Sequence, residues 1–183
     1  MNKLTNIIIS GGVALFFSSC ASNLTSPNQA TSIPTSVSSE ERGIAERVYA
    51  LVNEERARAG KRALRGHGGL NTLAQKHSDH MGSSLGDVNH YGSENRAQYA
   101  YLKHSIENLS EMTYAVPSDS SDPAAETVAA WKSSVRHHKH MLQSWHLTGI
   151  GVKRGSDGNT YITMCMGAQP MGTPRSIQPV GWH

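Results

Sequence analysis

Apolar residues recur at helical spacing through the middle of this chain. The first predicted helix begins at Ser38, which forms a capping-box pattern with Glu41, and it ends at Gly60, a residue type that commonly follows a helix. Its apolar positions lie on one face: Ile44, Val48, Leu51 and Val52. The helix therefore has one side to bury against the rest of a domain.

Three more helices are predicted further along the chain. The spacing predicts helices over 70–81 and 93–102, and a fourth over 123–136 in which Asp122 is the cap and Pro123 the first helical residue. The second of the four carries an apolar face that includes one histidine: Leu70, Leu73, Ala74, His77 and Met81.

The pattern changes from helical to strand-like near the end of the domain. Residues 147–154 and 160–166 predict two strands, and the Ser, Asp, Gly and Asn of 156–159 predict the turn between them. Both faces of the second strand carry apolar residues, so we expect both to be covered. Helices followed by a hairpin predict an α/β (α+β) domain in which helices flank a small antiparallel sheet.

The first 20 residues have the pattern of a secretory signal peptide. Lys3 precedes an apolar stretch over 7–17, which at about 11 residues is shorter than the roughly 20 that a membrane-spanning helix needs. Small residues come directly before Cys20 and resemble a bacterial lipobox, although Phe17 stands where an aliphatic residue is commoner. We predict that Cys20 is lipidated; ordinary cleavage with a free Cys20 is the alternative.

Two segments outside the predicted domain lack the composition of a packed core. Residues 21–38 are rich in Ser, Thr, Asn and Pro and predict a flexible linker, which as a random coil would span roughly 23 Å. Residues 168–183 contain three prolines and predict an irregular tail. The predicted domain is therefore 39–167. Because lipidation uses the thiol of Cys20, we predict no disulfide between it and Cys165.

The charge of the chain is small. The formal net charge of +3 falls to about +2 when Lys3 leaves with the leader, and no run of Lys or Arg forms a basic stripe. The sequence therefore predicts no nucleic-acid partner. The chain contains ten histidines, a high count for 183 residues, which makes the histidines the first candidates for a binding site.

Residues 82–86 match the pattern G-x-S-x-G of a nucleophile elbow, with Ser84 at its centre. That motif needs a strand before the serine and a helix after it. Here a predicted helix comes first, so we predict a loop that follows a helix rather than a catalytic serine.

Histidines and one carboxylate are the candidate site residues. His77 lies on the apolar face of the second helix and is predicted to be a hydrogen-bonded core residue. His90 follows a glycine-containing loop, the kind of segment on which sites are commonly built. Glu107 lies between Ile106 and Leu109, which predicts partial burial and a need for a partner, and His90 is a candidate partner.

A second group of histidines lies between residues 137 and 140. His137 and His140 are three residues apart and can share a helix face, whereas His138 points elsewhere. A solvated basic turn is the alternative interpretation for His138 and His140.

Six segments, in order along the chain, resemble the motifs of bacterial CAP (SCP) domains, the superfamily of cysteine-rich secretory, antigen 5 and pathogenesis-related proteins. The segments are 51–60, 70–81, 88–90, 106–108, 131–142 and 148–152. The resemblance departs from the family at Ile106, where members have Gly, and near Met164 and Cys165, where bacterial members usually have an aromatic residue and Gln.

The resemblance implies an α-β-α sandwich with a central cleft. Carried over by position, His90, Glu107 and His137 line that cleft and would bind a divalent metal ion such as zinc, which some family members hold there. Ser134 stands at the second acidic position of eukaryotic members. Three further residues are expected to support the cleft: Asn108, Ser134 and His77.

Three functions follow as hypotheses. The first is a non-enzymatic, lipid-anchored protein of the bacterial cell envelope that binds a metal or a small or lipid ligand. The second is a metal-assisted hydrolase of peptides or envelope polymers, with Glu107 as ligand or base. The third is a purely structural polar network of His90, Glu107 and His137. The sequence does not decide the ligand or the oligomeric state.

Overall fold

A computed structural model describes residues 37–83 and 87–169. Within these ranges the chain forms five helices: α1 Ser39–Arg58, α2 Gly68–Ser83, α3 Ser93–His104, α4 Pro123–Ser133 and α5 Val135–Met141. It also forms four strands: β1 Arg65–Gly66, β2 Asn108–Val116, β3 Leu147–Arg154 and β4 Thr160–Ala168. None of the helices described is long and apolar enough to cross a membrane.

The four strands form one sheet in the order β1-β3-β4-β2. β4 pairs antiparallel with β3 and with β2, whereas the two-residue β1 pairs parallel with β3. The predicted fold class is confirmed, but the sheet is mixed rather than antiparallel throughout. The difference arises because β1 reaches β3 from the connection after α1 and not through a hairpin.

Helices cover both faces of the sheet. On one face α1, α4 and α5 bury the larger core, in which Trp131, Val52 and Met141 are almost fully inaccessible. On the other face α2 and α3 bury a smaller core around Leu70 and Cys165. The expectation that both faces of β4 are covered is confirmed, since every residue from Thr160 to Gly167 is buried.

Helix α2 packs directly against the backbone of β3. A side chain at Gly149 or Gly151 would overlap backbone atoms of α2. Gln75 accepts a hydrogen bond from the Val152 N–H at 3.1 Å and donates one to the Val152 carbonyl at 2.8 Å. Because β1 is too short to pair the whole of β3, side chains of α2 satisfy strand groups that would otherwise be buried without partners.

Local signals located most of these elements correctly. The capping box is present, with Ser38 Oγ accepting from the Glu41 N–H, and Gly60 has a positive φ of 66°. The helix predicted over 123–136 is interrupted: Ser134 is extended, with φ −88° and ψ 114°, and separates α4 from α5. Ser134 ends one helix and caps the next, since its Oγ accepts from the backbone N–H of His137 at 3.5 Å.

The ordered fold extends slightly beyond the predicted domain. Val37, in the predicted linker, is buried, and Ser38 at the linker's end caps α1 as its pattern with Glu41 predicts. Ala168, assigned to the tail, lies in β4 and pairs with Asn108. The predicted signal peptide, Cys20, Ser84 and residues 170–183 of the tail lie outside the described residues.

Candidate functional site

A buried carboxylate, Glu111, is the centre of a polar cluster on β2. β2 is an edge strand, and the Glu111 side chain is 6% exposed. Arg96 on α3 donates two hydrogen bonds to it, from Nε at 2.7 Å and from a terminal nitrogen at 2.8 Å. His90, in the loop before α3, lies with Nδ1 3.0 Å from Glu111 Oε1.

Helix α2 contributes a second histidine to this cluster. His77 is 2% exposed, as its place on the apolar face predicts. Its Nε2 lies 2.8 Å from the carbonyl oxygen of Asn89 and 3.5 Å from Glu111 Oε1. Two residues therefore hold the loop that carries His90. His77 contacts the Asn89 carbonyl, and Arg96 donates a hydrogen bond to the Tyr91 carbonyl at 2.8 Å.

The charges in the cluster are arranged to keep Glu111 ionised. Burial alone would raise the pKa of Glu111, but the hydrogen bonds from Arg96 and His90 outweigh it and hold that pKa below its ordinary value. Burial also lowers the pKa of His77, an effect that its contacts with Asn89 and Glu111 oppose in part. An ionised Glu111 can only accept, so His90 Nδ1–H is the donor in this contact, and the contact leaves His90 Nε2 uninvolved.

Helix α5 brings a second pair of histidines to the other side of β2. His140 Nδ1 lies 3.3 Å from the Oγ of Ser110, the residue before Glu111. His137 has a lowered pKa, first because of burial and then because of the charges of Arg136, His140 and His90. Neighbouring residues on a strand point to opposite faces. His90 and the α5 histidines thus approach each other around the edge strand.

The structure does not place Glu107 beside His90. Glu107 is exposed and directly precedes β2. Its backbone N–H donates to the carbonyl of Ala168, the last residue of β4. Glu111 lies four residues further along the chain, inside β2, and contacts His90 instead. The expected partial burial and pairing of Glu107 are therefore corrected: those properties belong to Glu111.

The other predicted site residues occupy less central positions. Asn108 is exposed on β2 opposite Ala168. His138 points away from the cleft, as predicted, and its Nε2 lies 2.9 Å from Glu55 on α1. Cys165 is fully buried beneath Glu111, and burial strongly raises the pKa of its thiol, so it is an unreactive core residue.

Sequence reasoning missed Glu111 and Arg96. Glu111 gives no local signal, because the segment that forms β2 mixes polar and apolar residues on both faces. Arg96 lies in a helix that carries several other polar residues, such as Glu94, Asn95 and Gln98, so its type alone does not single it out. Had the strand been recognised, its two-residue alternation would have placed Leu109, Glu111 and Thr113 on one face, next to α2.

The arrangement offers imidazole donors without a complete metal cluster. Among residues 37–83 and 87–169, no three His, Cys, Asp or Glu side chains converge as a set that could hold a metal ion. The donors nearest to that role are His90, His137 and His140, and the carboxylate beside them is already bound in two places by Arg96.

Solved bacterial structures share this fold. An outer surface protein of Borrelia burgdorferi is 13% identical, with a TM-score of 0.56 over 70% of this chain and 95% of its own. An extracellular protein containing an SCP domain from Bacillus anthracis is 19% identical, with a TM-score of 0.59 over 70% of this chain. A cysteine-rich secretory protein of Staphylococcus aureus is 14% identical, with a TM-score of 0.54 over 72% of this chain.

These likenesses show the fold alone, because the identities are low. The chain matches 41% of the Bacillus protein and 40% of the Staphylococcus protein. A search among curated proteins finds no match. The profile of the cysteine-rich secretory protein family, CAP, matches residues 49–166, which is more than half of the chain. The chain therefore belongs to the CAP family.

Proposed function

We propose that this protein is an extracytoplasmic CAP-domain binding protein whose histidine cleft holds a divalent metal ion such as zinc. The observation that carries the proposal is the hydrogen bond between Glu111 and His90 Nδ1. Metal-binding histidines commonly donate their second ring N–H to a carboxylate, which fixes the tautomer and makes the ring a better ligand. The side chain of His90 is 52% exposed, so its Nε2 is accessible to an ion from solvent.

The ligands would come from both sides of the cleft. His90 and His137 are the imidazoles that the sequence resemblance predicts, and His140 lies on the same helical turn as His137. Two imidazoles with open coordination positions are a donor set that zinc and other first-row divalent ions accept. Because Glu107 is exposed and Glu111 contacts His90, the proposal assigns the carboxylate role to Glu111, as an orienting group rather than a ligand.

A binding role is better supported than hydrolysis. A general base works best with a pKa near the pH of the reaction. The pKa of Glu111 lies below its ordinary value, and both of its oxygens are held by Arg96. The side chain that sequence reasoning assigned as base, Glu107, has no contact with His90.

The location outside the cytoplasm rests on the leader and on the relatives. Structures with this fold are described as an outer surface protein in Borrelia and as an extracellular protein in Bacillus. Residues 1–20 have the pattern of a signal peptide that ends at Cys20. A lipid on Cys20 and the linker after it would hold the domain about 20 Å from the membrane of the cell envelope.

Zinc titration tests the binding proposal. The full-length chain, with Cys20→Ser to keep it soluble, is titrated with zinc in a calorimeter beside His90→Ala and His137→Ala. We expect micromolar or tighter binding that each variant weakens at least tenfold. The matched control is His104→Ala, since His104 lies on α3 at the far end from His90.

The same experiment separates the alternatives. No zinc binding by the parent would refute the metal proposal. Weaker binding with a Glu111→Gln variant that remains folded supports the orienting role. Turnover of a peptide or envelope-polymer substrate that depends on zinc and is lost in His90→Ala would favour the hydrolase instead.

The membrane anchor is tested separately. Expression of the full-length chain in a bacterial host should give a cell-envelope fraction whose mass includes a lipid on Cys20, and Cys20→Ser should release the protein in soluble form. An unmodified Cys20 in the mature protein would overturn the lipid anchor and leave the binding proposal unaffected.

A further inference from the structure

The exposed apolar side chains of this domain are concentrated in one segment. Among the residues that the structure describes, five of the six exposed large apolar side chains lie between Val88 and Leu102: Val88, Tyr91, Tyr99, Tyr101 and Leu102. Scattered exposed apolar residues are ordinary, but a concentration of this kind marks an interaction surface. The sixth, Val135, lies alone on α5.

Helix α3 presents three of these side chains near its C-terminal end. Tyr99, Tyr101 and Leu102 are 49%, 57% and 65% exposed and make up what is called here the tyrosine face. Ala100 is the one buried residue of α3. A helix with so narrow a buried side leaves most of its surface without a partner inside the described fold.

The described chain ends near the C-terminal end of α3. β4 is the last strand, and its final residue, Ala168, pairs with Asn108 at the start of β2. The Ala168 carbonyl also accepts from the N–H of Glu107, only three residues after the end of α3. The last described residues therefore lie close to the C-terminal end of α3, and residues 170–183 continue the chain from there.

The segment that leaves here has the composition of a ligand for an aromatic surface. Residues 170–183 contain three prolines and four large apolar residues, Met171, Ile177, Val180 and Trp182. Proline-rich segments bind aromatic surfaces because their backbone is already restricted and loses little entropy on docking. Tyrosine and tryptophan offer large contact areas at low entropic cost.

We propose that residues 170–183 dock on the tyrosine face of α3. The 14 residues have a coil dimension of about 20 Å, and the tyrosine face lies within the last two turns of the helix whose end adjoins Ala168. Docking is intramolecular, so an effective concentration of about 1 mM replaces the free concentration of a separate partner. Weak contacts of a few side chains are then sufficient.

Hydrogen exchange on the full-length chain tests the proposal, with Cys20→Ser in every sample. The parent is compared with a chain truncated after Gln169. With an intrinsic dissociation constant of about 0.2 mM, docking slows the exchange of affected amides about sixfold. We expect this slowing in residues 99–105 of the parent, with no change in α1.

Two substitutions distinguish docking from a change in the fold. Leu102→Ser removes an exposed side chain of the face, and Trp182→Ala removes the largest side chain of the segment. Each should raise exchange in 99–105 to the level of the truncated chain. Val135→Ser, a matched change at an exposed apolar residue on α5, should leave exchange as in the parent.

Three outcomes would overturn the proposal. Equal exchange in parent and truncated chain shows that the segment does not cover α3. Protection that increases with protein concentration assigns the face to a second copy of the chain. Protection that appears only with vesicles of phosphatidylglycerol and phosphatidylethanolamine assigns it to a lipid surface.

Discussion

Glu111 Oε1 lies 3.0 Å from Nδ1 of His90, and this contact joins an edge strand to the loop before α3. The carboxylate is buried and bound by Arg96, whereas the imidazole is half exposed. A rigid acceptor therefore holds an accessible ring in one orientation and one tautomer. Such pre-orientation is what a binding histidine needs.

Glu111→Gln should weaken zinc binding about 10- to 100-fold, the range found when an orienting carboxylate is lost. The change also leaves the nearly buried guanidinium of Arg96 without a counter-charge, so the free energy of unfolding should fall by about 1–3 kcal/mol. Calorimetry and urea denaturation measure the two effects. Glu94→Gln, on the exposed side of α3, is the control; unchanged zinc affinity in Glu111→Gln would contradict the orienting role.

Gly149→Ala should destabilise the domain by about 1–3 kcal/mol, or more where the backbone cannot shift. The new methyl group would overlap backbone atoms of Leu70 and Asn71 on α2. Gly43→Ala is the matched control: it lies inside α1 with no atom near the added group, and alanine there should stabilise by about 0.5–1 kcal/mol. Thermal denaturation of both variants checks the pair. A neutral Gly149→Ala would show that α2 can move away from β3.

Gln75→Leu should destabilise the domain by about 1–3 kcal/mol because it leaves the buried N–H and carbonyl of Val152 without their partners. Amide exchange at Val152 should become faster than in the parent. Lys76→Leu, one position along on the exposed side of α2, should change neither quantity appreciably. Unaltered exchange at Val152 would mean that another group replaces the glutamine.

Glu55→Gln should reduce stability at neutral pH and make it less sensitive to acid. Hydrogen bonds from Lys132 and then His138 lower the pKa of Glu55 from 4.5 to about 2. A lowered carboxyl pKa contributes stability above the unfolded value, and this contribution is lost as the pH falls from 4.5 towards 2. The difference in the free energy of unfolding between the parent and Glu55→Gln should therefore become smaller as the pH falls over that range.

Urea denaturation at several pH values measures the Glu55 effect. Glu54→Gln is the control, since Glu54 is exposed and pairs only with Arg58 on the same helix. If the difference in unfolding free energy between the parent and Glu55→Gln stays constant down to pH 2, the ion pairs of Glu55 do not determine how stability depends on acid pH.

The elements predicted correctly are those with strong local signals. The capping box of Ser38 and the turn at 156–159 are complete within a few residues, so α1 and the β3–β4 hairpin follow from the sequence. β1 and β2 carry no such signal: β1 has two residues, and β2 is a strand because β4 pairs with its whole length. The break at Ser134 had a local cue, a serine able to cap the helix that follows.

The residues of the candidate site were also only partly predictable from the sequence. Sequence motifs selected His90 and His137; the structure places His90 against Glu111 of β2 and His137 on α5 within reach of the charge of His90. The motifs also selected Glu107, whereas the buried carboxylate is Glu111. Glu107 precedes β2 whereas Glu111 lies inside it, and no local pattern in this segment marks where the strand begins.

The sequence by itself determined α1, α2, α3 and the start of α4, the final hairpin, the family resemblance and the histidines available for binding. Local spacing, caps and turns carry this information within one segment of chain. The tertiary structure decided that Glu111, Arg96, His77 and His90 form one cluster. Their four segments meet only when β2 pairs with β4, and the register of that pairing decides which side chain faces α2.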